Sequence, residues 1–414
     1  MVKSIIGSQV TTVPTLRKNI DIWKVITSSL SSLHTAGIEI HWNEYHRDFE
    51  VSQYVVRLPA YNWDAKNYWI QYNNNFCLTK GDGIPKAIAA SELAVSKFDT
   101  TSVQRIVEEN HGPQISTIVI ESDLSDPVLS KAIRGHKVNG VVLCPSSLYA
   151  DIGLTLGEYL LKQSPVYEES IGTDVADMKV GSPLIATNVP QLFRVSTSAN
   201  WATRSADLHV YSVDTDGKKT SDHARCTTRF GNRNEWSKEF KRHAYLINHR
   251  IDSLNRGVNG GQSHKIKRSM AYKLFGAVVK YDEAYQGMEE VVLDSEMFEA
   301  TARVKFQTTE SQGKFNVGPY WIDSLGHIAG FIMNASDSTD PSIQVFINHG
   351  WDRLRCAKTF SREKTYQTYN KMQSIGGTLY SDDTYILEEG SVIAVFEGVK
   401  VSLILHEIEQ IIDI

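Results

Sequence analysis

The chain has 414 residues, enough for roughly two or three domains, and its 41% hydrophobic and 22% charged content is that of an ordinary globular protein. The formal net charge of -5 excludes wholesale nucleic-acid binding, which needs clustered Lys and Arg. Cys77, Cys144, Cys226 and Cys356 form no CxxC pair, the histidines form no HExxH pattern, and no stretch approaches the ~20 apolar residues of a membrane span. A metal site, a disulfide framework and a membrane segment are therefore not expected, and a reducing, cytoplasmic compartment is.

The opening MVKSIIGSQV has no long apolar run, so no signal peptide is expected, and the chain reads as part of a longer protein. Residues 15–37 carry a helical period through Leu16, Ile20, Trp23, Ile26, Leu30 and Leu33. The extended stretch LPAYNWDAKNYWIQY, residues 58–72, is rich in aromatics that need a surface to bury against, and it reads as an adaptor. Gly81, Gly83 and Pro85 then break the chain.

From Gln114 the pattern becomes that of a globular domain. STIVIES and VNGVVLC are predicted strands, and SSLYADIGLTLGEYLLKQ is a predicted helix with Pro145 just before it. PLIAT, QLFRVST, ADLHVYSV and ARCTTRF are further short strands. Residues 231–239 read as charged, broken sequence and HRIDSLNRGVNGGQ as a connector; the basic run 265–268 is a solvated face. A second block repeats the arrangement. KRSMAYKLFGAVVKY is a predicted helix, EEVVLD and EATARVKF are strands, and YWIDSLGHIAGFIMNAS is a second, strongly apolar helix. IQVFINH, TYILEEGSVIAVFEG and KVSLILHEIE complete the strands. Each half thus offers one helix apolar nearly all round, hence buried, among several strands. Periodicity supports an α+β fold in two similar halves.

Two motifs carry chemistry. His136, Gly140 and Pro145 form HxxxGxxxxP where a strand gives way to the first apolar helix. Histidine is suited to proton transfer near neutrality. Gly140 permits a tight turn or a close backbone approach, and Pro145 fixes the start of the helix, whose first N–H groups can stabilise negative charge developing on oxygen. Asp323 and His327 form DxxxH on the second apolar helix, where the i, i+4 spacing puts both on one face. A carboxylate on such a helix is costly unless paired, and His327 can orient it or simply pack in the core against Phe331. Each half supplies one member of an acid–base pair, as a site between two pseudo-symmetric halves requires. Cys144 reads as a small buried residue and not as a nucleophile, and Tyr320 and Trp321 as core residues able to line a pocket.

The stretches GHKVNGVVLCPSSLYADIGLTLGEYLL, MAYKLFGAVVKYDEAYQGMEEVVLD and YWIDSLGHIAGFIMN resemble the product-template domain of fungal non-reducing iterative polyketide synthases, over about the last three-quarters of the chain. The resemblance implies a double hot dog, two antiparallel sheets each wrapped around a central apolar helix. It implies a linker after the acyltransferase at 1–99, an N-terminal hot dog at 100–255 and a C-terminal hot dog at 256–414. It further implies regioselective aldol cyclisation and dehydration of a poly-β-ketone, carried on the phosphopantetheine of an acyl carrier protein, with no cofactor bound by the domain itself. In that resemblance His136 is the base, Asp323 the acid and Asn348 a polar pocket residue, and the synthase is a homodimer. A dehydratase of β-hydroxyacyl chains shares the first motif, a hot-dog thioesterase would need no Asp323 donor, and a non-catalytic double hot-dog scaffold is the reading from a different class.

Overall fold

A computed structural model describes residues 12–52, 98–138, 140–187, 189–276, 279–340 and 344–405. The chain divides into two units, 1–86 and 87–414. In the first, α1 (Ile22–Thr35) starts at Asp21, whose carboxylate accepts the Lys24 N–H at 3.1 Å. It is followed by α2 (Trp42–His46), and Trp23 meets Tyr45 and Phe49 edge-on at 6.4 and 5.0 Å between ring centres. Leu16 and Ile20, counted in the helical period, precede α1 and are exposed. The aromatic stretch 58–72 lies outside the described residues.

The second unit holds the rest. Its first half contains β1 (Arg105–His111), β2 (Ile115–Asp123), α3 (Pro127–Arg134), β3 (His136–Val138), β4 (Val141–Val142), α4 (Ser146–Lys162), β5 (Ile171–Val180), β6 (Leu192–Asn200), β7 (Ser205–Val213) and β8 (Lys219–Asn232). The helix α5 (Arg233–Gly260) crosses to the second half. There follow β9 (His264–Lys267), α6 (Arg268–Phe275), β10 (Val279–Tyr281), β11 (Met288–Asp294), β12 (Glu299–Lys305), α7 (Pro319–Asn334), β13 (Gln344–Gly350), β14 (Arg353–Cys356), β15 (Thr365–Lys371), β16 (Gln373–Gly376), β17 (Leu379–Glu388) and β18 (Ser391–Leu405).

The strands run in the order β1-β2-β6-β7-β8-β5 and then β14-β18-β17-β15-β12-β11-β9, with every pairing antiparallel. The two expected sheets are joined into one where Val175 of β5 opposes Leu354 of β14. Each half wraps its sheet around its own central helix, which is the double hot-dog arrangement. Every residue of α4 from Ser147 to Gly157 is buried, and α7 is buried on most faces. Each buried Leu or Ile side chain contributes about 1.5–3 kcal/mol relative to exposure. Gly157 lets α4 lie close to the sheet, since a Cβ there would meet Thr228 Cγ2 at 2.5 Å.

Several local expectations fail for physical reasons. The predicted break and connector at 231–262 is instead the long helix α5. Trp236, Phe240, Ile247, Ile251 and Leu254 recur on one stripe and bury against Val292, Tyr369, Leu387 and Val395. The many charges between them, on the solvent face, hide that stripe. Asn232 caps α5 by accepting the Asn234 N–H at 2.9 Å, and Gly261 ends it at φ +78°. KRSMAYKLFGAVVKY is a shorter helix, α6, followed by β10. VNGVVLC folds back at Gly140 (φ +83°) as β3 and β4. TYILEEGSVIAVFEG turns at Glu389 and Gly390, both at positive φ, into β17 and β18. PLIAT contributes only a single bridge, Leu143 to Ile185.

Candidate active site

His136 opens β3, and β3 pairs with β10 so that Tyr281 stands opposite His136. This small sheet is built from both halves, and the Asp282 N–H donating to the Gly135 carbonyl at 2.9 Å fastens it. Gly135 is needed there, because a Cβ would lie 2.5 Å from Asp282 Oδ2. The His136 ring meets those of Tyr281 and Tyr285 at 5.5 and 6.2 Å between centres. Tyr285 is tied down by its hydroxyl, which donates to the Ala132 carbonyl at 2.8 Å.

From the other side comes α7. Asp323 and His327 share a face, with His327 Nε2 3.3 Å from Asp323 Oδ2. His327 is almost fully enclosed, whereas the Asp323 side chain keeps 20% of its surface accessible. Tyr281 lies against His327 at 4.2 Å between ring centres, so a single tyrosine touches both His136 and His327. Tyr272 Oη is 3.0 Å from His327 Nδ1 and accepts the Met288 N–H at 3.0 Å. An ionised carboxylate can only accept, which makes Nε2–H the donor to Asp323; the Tyr272 hydroxyl is within reach of both His327 Nδ1 at 3.0 Å and the Tyr285 carbonyl at 3.3 Å. The result is a connected network from Met288 through Tyr272 and His327 to Asp323.

The electrostatics assign the charges. Burial lowers the His136 pKa and the His327 imidazole lowers it further, while the Asp323 carboxylate and the nearby Leu143 backbone raise it; the net direction is down. His136 is therefore neutral at pH 7, the state of a base. Its Nδ1 is buried without a hydrogen bond of good geometry. Burial would raise Asp323, but the His327 hydrogen bond and the His327 and His136 imidazoles outweigh it and hold the carboxyl below its ordinary value. Asp323 is thus charged at rest. Burial pushes Tyr272, Tyr281 and Tyr285 upward, leaving neutral hydroxyls. Cys144 is pushed up to about 12 by burial, which rules out a thiolate nucleophile there and agrees with its packing role.

Gly140 makes the β3–β4 turn, and Pro145 precedes α4 as its N-cap at φ -73°. Asn348 is not brought to this cluster: it is exposed on β13, and its Oδ1 accepts the Gly350 N–H at 2.6 Å. Tyr320 packs on Tyr285 at 4.6 Å, and Trp321 stacks on Phe306 at 4.5 Å. Both tyrosine and tryptophan also line a cleft of about 770 Å³ with Phe315, Val317 and Phe360, at the start of α7. The buried hydroxyls of Ser147 and Tyr320 have no protein partner. The residues missed from sequence are Tyr272, Tyr281 and Tyr285. Their one signal is the run of tyrosines in MAYKLFGAVVKYDEAYQ, lying between the two motifs. No group of His, Cys, Asp and Glu able to hold a metal occurs among the described residues, and no helix among them is long and apolar enough to cross a membrane.

Comparison with known proteins agrees. A model of the polyketide synthase dehydratase N-terminal domain matches residues 257–410. The dehydratase domain from the CurJ module of the curacin polyketide synthase superposes with a TM-score of 0.54 at 15% identity, over 74% of this chain and 98% of that one. The dehydratase domain of RzxB from Pseudomonas fluorescens gives 0.54 at 12%, over 73% and 98%. At such identities the likeness is one of fold. Fold and site together define a dehydratase-type domain of polyketide synthases. The chain is 53% identical over 401 residues to a non-reducing polyketide synthase of Byssochlamys spectabilis, covering 97% of this chain and 18% of that protein. It is 49% identical over 409 residues to the conidial pigment polyketide synthase of Aspergillus fumigatus, covering 99% and 19%. The chain thus spans about a fifth of the relatives it matches, and over that span it is similar to fungal non-reducing polyketide synthases.

Proposed function

We propose that this domain closes a ring on a linear poly-β-ketone by regioselective aldol addition and then removes water to aromatise it. The observation that carries the reading is the meeting of a neutral His136 from one half with a charged Asp323 from the other, across Tyr281. A methylene between two carbonyls is acidic because its enolate is delocalised. His136 takes that proton, and the imidazolium so formed is stabilised by Asp323. The enolate carbon bonds to a ketone carbon further along the chain, and the carbonyl becomes an alkoxide. The alkoxide is protonated by the His136 imidazolium, directly or through a water held by the Asp323 carboxylate, which returns His136 to its neutral form. Because Asp323 is ionised at rest, it orients and relays the proton instead of starting as the free acid. His136, neutral again, then takes a second carbon proton and delivers it to the hydroxyl, which departs as water as the carbon–carbon double bond forms. Holding a flexible chain in one near-attack fold supplies much of the rate, and the unpartnered hydroxyls of Ser147 and Tyr320 suit its carbonyl oxygens.

In this reading the substrate arrives on the phosphopantetheine of an acyl carrier protein, and the domain itself binds no cofactor. Residues 1–99 link it to an upstream acyltransferase, 100–255 and 256–414 are its two hot dogs, and the parent synthase is a cytoplasmic homodimer. The test combines the domain with loading, condensing and carrier domains of a non-reducing synthase and identifies products by chromatography and mass spectrometry. Wild type should give one aromatic product. His136→Ala and omission of the domain should give the same spontaneous mixture, and three identical mixtures would sink the reading.

The dehydratase family match and the dehydratase folds favour a second reading, elimination of water from a simple β-hydroxyacyl chain. It prevails if the domain converts a carrier-bound β-hydroxyacyl group to the enoyl form but leaves the poly-β-ketone mixture unchanged.

A further inference from the structure

That mechanism uses a buried aspartate of the second central helix and leaves another, Asp151 on the first, without a task. Asp151 is wholly buried, and its carboxyl group serves the other half of the molecule. Oδ1 accepts three consecutive backbone N–H groups, those of Asn316 at 3.0 Å, Val317 at 3.1 Å and Gly318 at 3.0 Å. Oδ2 accepts the Ser102 hydroxyl at 2.7 Å. Ser102 is itself buried, and its carbonyl accepts the Ser122 hydroxyl at 2.8 Å.

Gly318 is the N-cap of α7 and has no side chain with which to cap it; it enters the helix at φ +86°, a conformation that favours glycine. Asp151 therefore stands in for the missing capping side chain, reaching across from α4. The same loop is stitched to the start of the first half. The Thr101 N–H donates to the Lys314 carbonyl at 2.7 Å, and the Lys314 N–H donates to Thr101 Oγ1 at 3.0 Å. Asp323 is the fifth residue of the helix whose start is held this way. Its position against His136 depends on where α7 begins, and catalysis is sensitive to shifts of about 1 Å, which can cost on the order of 100-fold.

We infer that Asp151 is a positioning residue for the reaction: by clamping residues 316–318 to the first central helix, it sets the start of α7 and thereby the place of Asp323 relative to His136. The inference rests on the reading of His136 and Asp323 as the catalytic pair. The groups facing His136 are Asp323, His327, Tyr281 and Tyr285, so Asp151 reaches His136 only through them.

The test has a readout that needs no substrate. The imidazole titration of His136 is followed by NMR in wild type, Asp151→Ala, Asp151→Asn, Ser102→Ala and Asp323→Asn, with thermal unfolding of each. Asp323→Asn removes the charge that raises His136 and shifts its titration to lower pH. Asp151→Ala should shift it the same way by a smaller amount, and slow ring closure per folded molecule about tenfold in the reconstituted reaction. Asp151→Asn keeps an acceptor oxygen for the three N–H groups and should restore most of both. Should Asp151→Ala fail to fold, Ser102→Ala loosens the Oδ2 anchor alone and should move His136 in the same direction. An unchanged His136 titration in the folded variants, with only a lower unfolding temperature, would overturn the inference. A shifted titration together with a wild type no better than His136→Ala in product formation would keep the clamp and remove the cyclase reading instead.

Discussion

The two central helices hold equivalent places, and each carries an aspartate, but the two aspartates live differently. Asp151 on α4 accepts four hydrogen bonds and is fully enclosed. Asp323 on α7 has one bond, 3.3 Å long, to His327, and keeps part of its surface open. Burial raises the Asp151 pKa against the pull of its donors, whereas two imidazoles bring Asp323 down despite burial. A fully enclosed carboxyl group that already holds four protein donors can hold structure but gives a substrate no access. One with spare acceptor capacity and a tuned charge is equipped to relay a proton. In the proposed mechanism the two similar halves divide the labour, one helix fixing geometry and the other relaying the proton.

The largest effect that would break this comparison is on rate. His136→Ala removes the base and should lower regiospecific ring closure by roughly 10²–10⁴-fold, measured as the single aromatic product against the spontaneous mixture. Its unfolding midpoint should stay near wild type, since the ring has an unpartnered buried nitrogen and contributes little hydrogen bonding. Asp151→Ala should do the reverse in emphasis. It strands the buried Gly318 N–H, the half-buried N–H groups of Asn316 and Val317 and the buried Ser102 hydroxyl, and the expected loss is about 3 kcal/mol or more of stability, seen as a lower urea midpoint.

Acid titration sharpens the contrast, because the two aspartates carry opposite signs. Asp323 is depressed in the fold, so its contribution is present above the unfolded value of about 3.9 and is lost as pH falls through the lower folded value. Asp151 is raised, so the native state binds the extra proton between about 3.9 and its higher folded value, and stability falls as pH rises through that window. Urea midpoints taken across acid pH should show Asp323→Asn losing stability less steeply than wild type at the low end. Asp151→Asn should gain on wild type as pH climbs above about 3.9. Parallel curves would contradict the assigned directions.

What could be read from sequence follows from the range of the interactions involved. His136, Gly140, Pro145, Asp323 and His327 sit in short spacings, and both central helices announce themselves by being apolar all round. The helix α5 does not, because five buried residues in 28 are outvoted by charges on its wet face. Asp151 lies inside a segment read as one apolar helix, and its partners are 49 to 167 residues away. No local pattern encodes such a contact. Asn348 shows the converse. A motif on a strand fixes the residue's place in the sheet, but the β13–β18 pairing turns this side chain to solvent and to its own backbone. Tyr272, Tyr281 and Tyr285 were hidden because tyrosine is a default core residue, and only the meeting of β3 with β10 gives their hydroxyls and rings a site to surround.

Tyr272 offers the smallest and most discriminating change. Tyr272→Phe removes one oxygen, yet that oxygen both accepts the Met288 N–H and meets His327 Nδ1. The fold should lose about 1–3 kcal/mol for the stranded N–H. Without the Tyr272 hydroxyl, the Asp323 carboxylate alone holds the His327 proton on Nε2, and the tautomer that faces Asp323 with a lone pair becomes more accessible. That tautomer repels the carboxylate instead of orienting it. Ring closure should then fall about three- to tenfold, as expected when one neutral hydrogen bond of about 1 kcal/mol is removed from a positioning chain. Nitrogen chemical shifts of His327 decide between the causes. A tautomer shift with the rate loss ties Tyr272 to the orientation of Asp323; a rate loss with the tautomer unchanged would assign it to packing against Phe275 and Tyr281 alone.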